Sequence, residues 1–300
     1  MRPMQRERGA DATPSIAIIV LNWNGRDLTL DCLRSLEGIT TPNLRTVLVD
    51  NASSDGTVEA VRRRYGARVT TIQNAENLGF AAGNNVGIRR ALDDGAEFVL
   101  LLNNDTVVAE NFVDHLLAPM LETSAIGITA PKIYYAEPEK QIWFAGGEIS
   151  MWRGIAKHTG IREMDRGQYD TAHDIDYATG CAFLARRAVF EKVGDLDPGY
   201  RAYFEDADFC VRARQAGFRI RYVPAAHVWH RISASTGGQL SRRKASRKLA
   251  SSRRFFGRYA KPYHWITIPF FFVCDVVRIA GLVLAGRIRD TNPHTPSSSV

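Results

Sequence analysis

At 300 residues, 45% hydrophobic and 24% charged, the chain has the length and make-up of a globular protein with one large core or two smaller ones. Its four cysteines, Cys32, Cys181, Cys210 and Cys274, are widely spaced, which excludes a disulfide framework and fits a reducing cytosol. Net charge is +7, but nine Lys or Arg and no acid lie between Arg242 and Lys261, so the remainder stands at −2 and the excess points to an anionic partner, nucleic acid or lipid headgroups.

Residues 1–14 are polar and lack the apolar core of a secretory signal, which predicts a disordered tail. SIAIIVLNW (15–23) is a continuous β-branched run, as in a strand covered on both faces. A helical pattern follows from about Leu28 to Leu36, then a second buried strand, LRTVLVDN (44–51). SSDGTVEAVRRRYG opens with capping chemistry and predicts a helix ending at Gly66. VTTIQN is a short third strand, GNNVGIRRALDDG a helix closing on Gly95, and EFVLLLNND a fourth strand. This alternation predicts an α/β fold with a mostly parallel central sheet. Beyond it, KIYYAEP, WFAGGEISM and IDYATGCAFLARR read as strands, with helices from about Arg187 and from Glu205 to Gln215.

Ligands of such sheets bind at the carboxyl ends of the strands. Here those ends are NWN (22–24), DNASSDG (50–56), NAENLGF (74–80) and NND (103–105). One polar strand end is a turn, since Asn and Asp bond their own backbone. Four at one edge predict a site. In an extended segment Asn103 and Asp105 point the same way and can converge on a divalent cation, with Asn104 facing elsewhere. Oxygen ligands suit Mg²⁺ or Mn²⁺, with a diphosphate completing the shell around a single carboxylate.

The ordered segments IIVLNWNG, VLVDNASSDGT, NAENLGFAAGNNVGI, LLLNNDT, GCAFLARRAVFEKVGDLD, YFEDADFCVRARQAGFRIRYVP and VWH resemble glycosyltransferase family 2, and its bacterial rhamnosyltransferase-like branch in particular. The resemblance spans roughly 15–238. It implies a GT-A fold, an inverting mechanism, a nucleotide-diphospho-sugar donor and a divalent metal. By that resemblance Asn22, Trp23, Asp50, Asn77, Gly79, Phe80, Asn84 and Asn104 belong to the donor-binding group, with Asn84 opening a helix whose N-terminus receives phosphate. Asp105, Asn103 and His230 are the implied metal ligands, Asn103 standing where the family motif usually has Asp. Asp206 is the implied base and Glu205 orients the acceptor, while Asp208 is a structural acid. Each has a plainer reading: Trp23 as a rim aromatic, Asp50 as a helix cap, NLGF as a tight loop, the acids as partners of a helix dipole, and His230 as a structural histidine with His227 its competitor.

The expected organisation is a GT-A domain over 15–238, a basic amphipathic helical region over 239–288 that associates with membrane or oligomerises, and a disordered tail over 289–300. Residues 266–286 approach the length of a membrane span, but Pro269, Asp275 and Arg278 interrupt them, favouring an interfacial helix. Location at the inner face of the cell membrane and a lipid-linked or polysaccharide acceptor follow as expectations. The favoured donor is dTDP-L-rhamnose. A UDP-sugar (galactofuranose or N-acetylglucosamine) is the first alternative, and a non-catalytic nucleic-acid-binding protein using the basic run a remote one. The absence of G-x-G-x-x-G after the first strand argues against a dinucleotide-binding fold.

Overall fold

The computed structural model describes residues 13–200, 202–231, 242–271 and 273–274. It divides into two compact units, Met1–Ile149 with Ala156–Phe255, and Ser150–Ile155 with Phe256–Val300. Of the expected tails and the apolar stretch 266–286, residues 1–12 and 275–300 lie outside the described residues.

The first unit is built on a sheet whose order explains where a site can form. Strands β1 (Ile16–Asn22), β2 (Leu44–Asp50), β3 (Val69–Gln73) and β4 (Phe98–Asn103) pair in parallel, in the order β4-β1-β2-β3. Helices α1 (Arg26–Leu36), α2 (Thr57–Tyr65) and α3 (Gly79–Asp93) connect them. The continuous apolar runs of β1 and β4 are buried on both faces, with Ile16 to Val20 and Leu100 at 0% exposure. Because all four strands run the same way, Asn22, Asp50, Gln73 and Asn103 end at one edge.

The rest of the chain brings further groups to that edge. After β5 (Thr106–Val108) and α4 (Phe112–Glu122), β6 (Ile126–Tyr135) and β7 (Ile142–Phe144) form an antiparallel pair. Strands β8 (Gly147–Ser150) and β9 (Ile155–His158) pair separately, and the short β10 (His173–Asp174) lies at the sheet margin. Strand β11 (Ala182–Arg186) runs antiparallel between β4 and β6, so its start lies beside the end of β4. Helices α5 (Arg187–Val193) and α6 (Glu205–Gln215) follow it. Strand β12 (Arg219–His230) runs parallel to β6 and antiparallel to β5, which pairs His230 with Thr106. Helix α7 (Arg242–Tyr259) carries the basic run.

Helix α3 owes its close seat on the sheet to two glycines one turn apart. A Cβ on Gly87 would stand 2.5 Å from Ile19 Cγ2, and one on Gly83 2.7 Å from Leu21 Cδ1 and 2.8 Å from Asn51 Nδ2. Gly87→Ala therefore overpacks the interface and is expected to lower stability by about 1–3 kcal/mol in denaturant unfolding. An unchanged midpoint would show that the helix has room to retreat.

Candidate active site

The strand ends are knitted together by side chains that have lost water and must find partners in the protein. Asn22, fully buried, donates from Nδ2 to Asp50 Oδ1 at 2.8 Å and to Ser53 Oγ at 3.0 Å. Its Oδ1 accepts from Thr29 Oγ1 and from Asn104 Nδ2, both at 2.9 Å. Asp50 also accepts from the Ser53 backbone N–H at 2.8 Å and the Ser53 hydroxyl at 2.6 Å. Asn51 receives Asn74 Nδ2 at 2.8 Å and donates to the Gly79 carbonyl at 3.1 Å. The ends of β1, β2 and β4 and the start of α3 are thereby held in fixed relation. Trp23, by contrast, is 53% exposed beside this network.

At the entry to α3, Asn77 Oδ1 accepts the Gly79 N–H at 2.9 Å, and Gly79 takes φ +81°. That left-handed turn needs glycine. The Phe80 ring lies against Gly180, where a Cβ would stand 3.0 Å from it. Gly180 in turn donates its N–H to Asp206 Oδ2 at 2.8 Å, and Asp206 Oδ1 accepts the Ala207 N–H at 2.8 Å. The neighbouring Cys181 carbonyl accepts the Asn103 N–H at 2.8 Å. Residues 179–181 thus tie the acid at the head of α6 to the end of β4.

The other half of the edge is the pair Asp105–His230. Their Oδ1 and Nε2 atoms are 3.1 Å apart, and the Cys181 thiol also bonds the imidazole. Asp105 Oδ1 is buried against the imidazole, and His230 Nδ1 is buried without a hydrogen-bond partner. Trp143 closes this end, edge-on to His230 at 4.6 Å and to His158 at 4.5 Å.

The model for the family "Glycosyltransferase like family 2" matches residues 14–249. The chain belongs to that glycosyltransferase family. It is 28% identical over 257 residues to an N-acetylglucosaminyl-diphospho-decaprenol L-rhamnosyltransferase of Mycobacterium tuberculosis, covering 78% of this chain and 82% of the relative. It is 26% identical over 250 residues to protein y4gI of Sinorhizobium fredii, covering 79% of this chain but 26% of that longer protein. Among solved structures, GalNAc-T7 with UDP, GalNAc and Mn²⁺ matches with a TM-score of 0.63 at 18% identity, covering 80% of this chain and 48% of that one. The mannosyltransferase PcManGT of Pyrobaculum calidifontis, with GDP-Man and Mn²⁺, matches at 0.56 and 17%, covering 92% and 80%. These likenesses establish the GT-A type of fold.

Two sequence expectations for the glycosyltransferase need correction. Asn84 does not open a helix: α3 starts at Gly79, and Asn84 sits inside it, bonding the Phe80 carbonyl at 3.0 Å. The N-terminus is set by the Asn77 turn, which comes earlier than the apolar pattern suggests. Asn103 and Asp105 do not share a strand: β4 ends at Asn103, residues 104–105 form a turn, and strand alternation no longer aligns their side chains. Asp105 meets His230 instead, and Asn104 turns back to Asn22. Four contributors escaped the sequence reading: Ser53, Thr29, Cys181 and Trp143. The polar strand ends signalled Ser53, but nothing local marks Cys181 and Trp143, whose partner His230 lies 49 and 87 positions away.

The enzyme also sets two adjacent acids largely out of water, Glu205 buried and Asp206 half-buried. Glu205 is 6% exposed and its Oε2 has no hydrogen-bond partner. Burial raises the pKa of both Glu205 and Asp206, and the Asp206 charge pushes Glu205 higher still. Backbone N–H groups of Gly180 and Ala207 pull Asp206 the other way without cancelling the rise. For His230, burial works against the imidazolium, but Cys181 and Asp105 outweigh it and hold the pKa up at about 10.

The acids lie in a strained setting. Tyr203 and Phe204, just before α6, take φ +68° and +70°, a conformation costing roughly 1–2 kcal/mol per residue. Helix α7 supports this turn: Phe255 packs on Phe204 at 5.1 Å, and Ser251 Oγ donates to the Ala202 carbonyl at 2.7 Å.

Because the folded state raises the Glu205 pKa above its unfolded value of about 4.3, its contribution to stability is complete below that pH and is lost as pH rises through the folded value. Glu205→Gln should therefore flatten the fall in Tm between pH 5 and pH 9, gaining relative to wild type at the alkaline end. A Tm difference independent of pH would mean that Glu205 titrates normally.

Proposed function

We propose that the chain is an inverting glycosyltransferase that moves a sugar, L-rhamnose from dTDP-L-rhamnose in the favoured case, onto a lipid-linked acceptor. The observation that carries this reading is the convergence, through residues 179–181, of a half-buried acid at a helix start with the Asp105–His230 pair at the end of β4. The relative whose name specifies L-rhamnosyl transfer to a diphospho-decaprenol supports the choice of donor and acceptor class.

Trp23, exposed at the rim, offers a face for the base, while Asp50, already holding three donors, shapes the loop beneath it. Gly79 opens α3 toward the diphosphate, where helix N–H groups favour negative charge. Asp105 Oδ1 and the imidazole of His230, once the imidazole gives up the proton it holds against Asp105, fit a divalent cation as oxygen and nitrogen donors. Among the described residues no group of three His, Cys, Asp or Glu could hold a metal, so the diphosphate would complete the shell. Bound there, Mg²⁺ or Mn²⁺ would offset charge on the departing diphosphate. The two structural matches that contain Mn²⁺ beside a nucleotide or nucleotide sugar fit this reading.

Asp206 takes the proton from the acceptor hydroxyl as its oxygen bonds the anomeric carbon on the face opposite the leaving group. A raised pKa suits that task, because a carboxylate poised nearer neutrality is a stronger base. Glu205 orients the acceptor, and Phe80, braced on Gly180, sets the depth of the pocket.

The test is nucleotide release from dTDP-L-rhamnose and a panel of UDP-sugars with Mg²⁺ or Mn²⁺ and a polyprenyl-diphosphate-sugar acceptor. Release from dTDP-L-rhamnose should fall at least about 100-fold in Asp206→Asn and be lost in Asp105→Ala. Release from a UDP-sugar alone would replace the donor assignment. Full activity in Asp206→Asn would remove Asp206 as the base.

A further inference from the structure

We infer that the described part of the second unit, residues 150–155, 256–271 and 273–274, docks on an anionic lipid surface. Its described residues pack through one set of side chains and leave another set in water. Trp152 lies against Tyr263 at 5.3 Å and His264 at 4.8 Å, and its carbonyl accepts Thr267 Oγ1 at 2.8 Å. A Cβ on Gly154 would meet Ile268 at 3.0 Å, so segment and helix are in close contact. Yet Trp152, Tyr263, Trp265, Ile266, Phe270 and Val273 each remain at least 46% exposed. Ile266, Phe270 and Val273 follow one another at four and three residues, which places them on one stripe of the helix that begins at residue 264.

Exposed apolar side chains of this size grouped on one unit signal an interaction surface. Two features select lipid as the partner. Trp and Tyr favour the boundary between headgroups and acyl chains, where an apolar ring can be buried with its polar atom wet. Charge is complementary as well: Arg258 and Lys261 belong to this unit, and seven further cations with no acid precede them from Arg242 to Arg254. Near an anionic leaflet each such cation strengthens binding roughly fivefold. No helix among the described residues is long and apolar enough to cross a membrane. The exposed stripe fits a helix lying on the bilayer with Ile266 and Phe270 inserted, in the manner of an interfacial helix. A nucleic acid would use the cations and leave the apolar stripe without a role.

The experiment is co-sedimentation of the full chain with vesicles of phosphatidylglycerol and phosphatidylcholine, against phosphatidylcholine alone, at low and high salt. Wild type should pellet with the anionic vesicles. Ile266→Glu/Phe270→Glu should weaken partitioning roughly tenfold or more at both salt concentrations. Arg247→Glu/Arg253→Glu should weaken it chiefly at low salt. Both variants should keep the wild-type Tm and nucleotide release, so failure here leaves the donor assignment standing. Equal partitioning of wild type and Ile266→Glu/Phe270→Glu would overturn the inference. So would a stable dimer that dissociates on that substitution without vesicle binding, or retention by duplex DNA instead of vesicles.

Discussion

The seating of two acids side by side, Glu205 buried and Asp206 half-buried, is the constraint around which the site is organised. Neither acid forms a salt bridge among the described residues, and burying adjacent carboxyl groups carries a desolvation cost that only specific contacts offset. Asp206 is held by the Gly180 and Ala207 N–H groups at the head of α6, where the helix dipole also favours negative charge. Glycine at 180 suits those contacts, because a Cβ there would press on the Phe80 ring at 3.0 Å. They also require the left-handed turn at Tyr203 and Phe204, which Phe255 and Ser251 of α7 brace. One acid, Asp206, thus links α3, the loop before β11, α6 and α7.

The sheet supplies the other half of the logic. Parallel β1, β2 and β4 deliver three polar ends to one edge, and antiparallel β11 brings residues 179–181 back to that edge. Strand β12 adds His230 opposite Thr106, next to the turn that carries Asp105. A side chain that bonds across strands, such as Asn22 with both Asp50 and Asn104, makes the spacing of these ends a property of the fold and independent of any ligand. That rigidity is what a diphosphate and a cation need from a protein that offers them few charged ligands.

Where the sequence was legible, a local pattern carried the information. The continuous apolar runs of β1, β2 and β4 marked buried parallel strands, and Glu205 to Gln215 is the helix found. The four polar strand ends marked an edge with a use. Local patterns failed where a turn intervened or a partner was distant. The apolar spacing of α3 extends only to the point where the Asn77 turn begins it, so Asn84 was misplaced by more than one turn. An extended chain would align Asn103 and Asp105, but the strand stops at Asn103. Cys181 and Trp143 carry no motif of their own. They matter because the sheet folds them against His230, which periodicity does not record.

The central claim is that the edge between Asp105, His230 and Asp206 receives a metal–diphosphate donor. The most direct test is anomalous scattering from crystals grown with Mn²⁺ and a nucleoside diphosphate. The account predicts one manganese peak in contact with both Asp105 and His230 and with diphosphate oxygens, on the same side of the sheet edge as Asp206. A peak elsewhere, or a bound nucleotide with no metal at this pair, would contradict it.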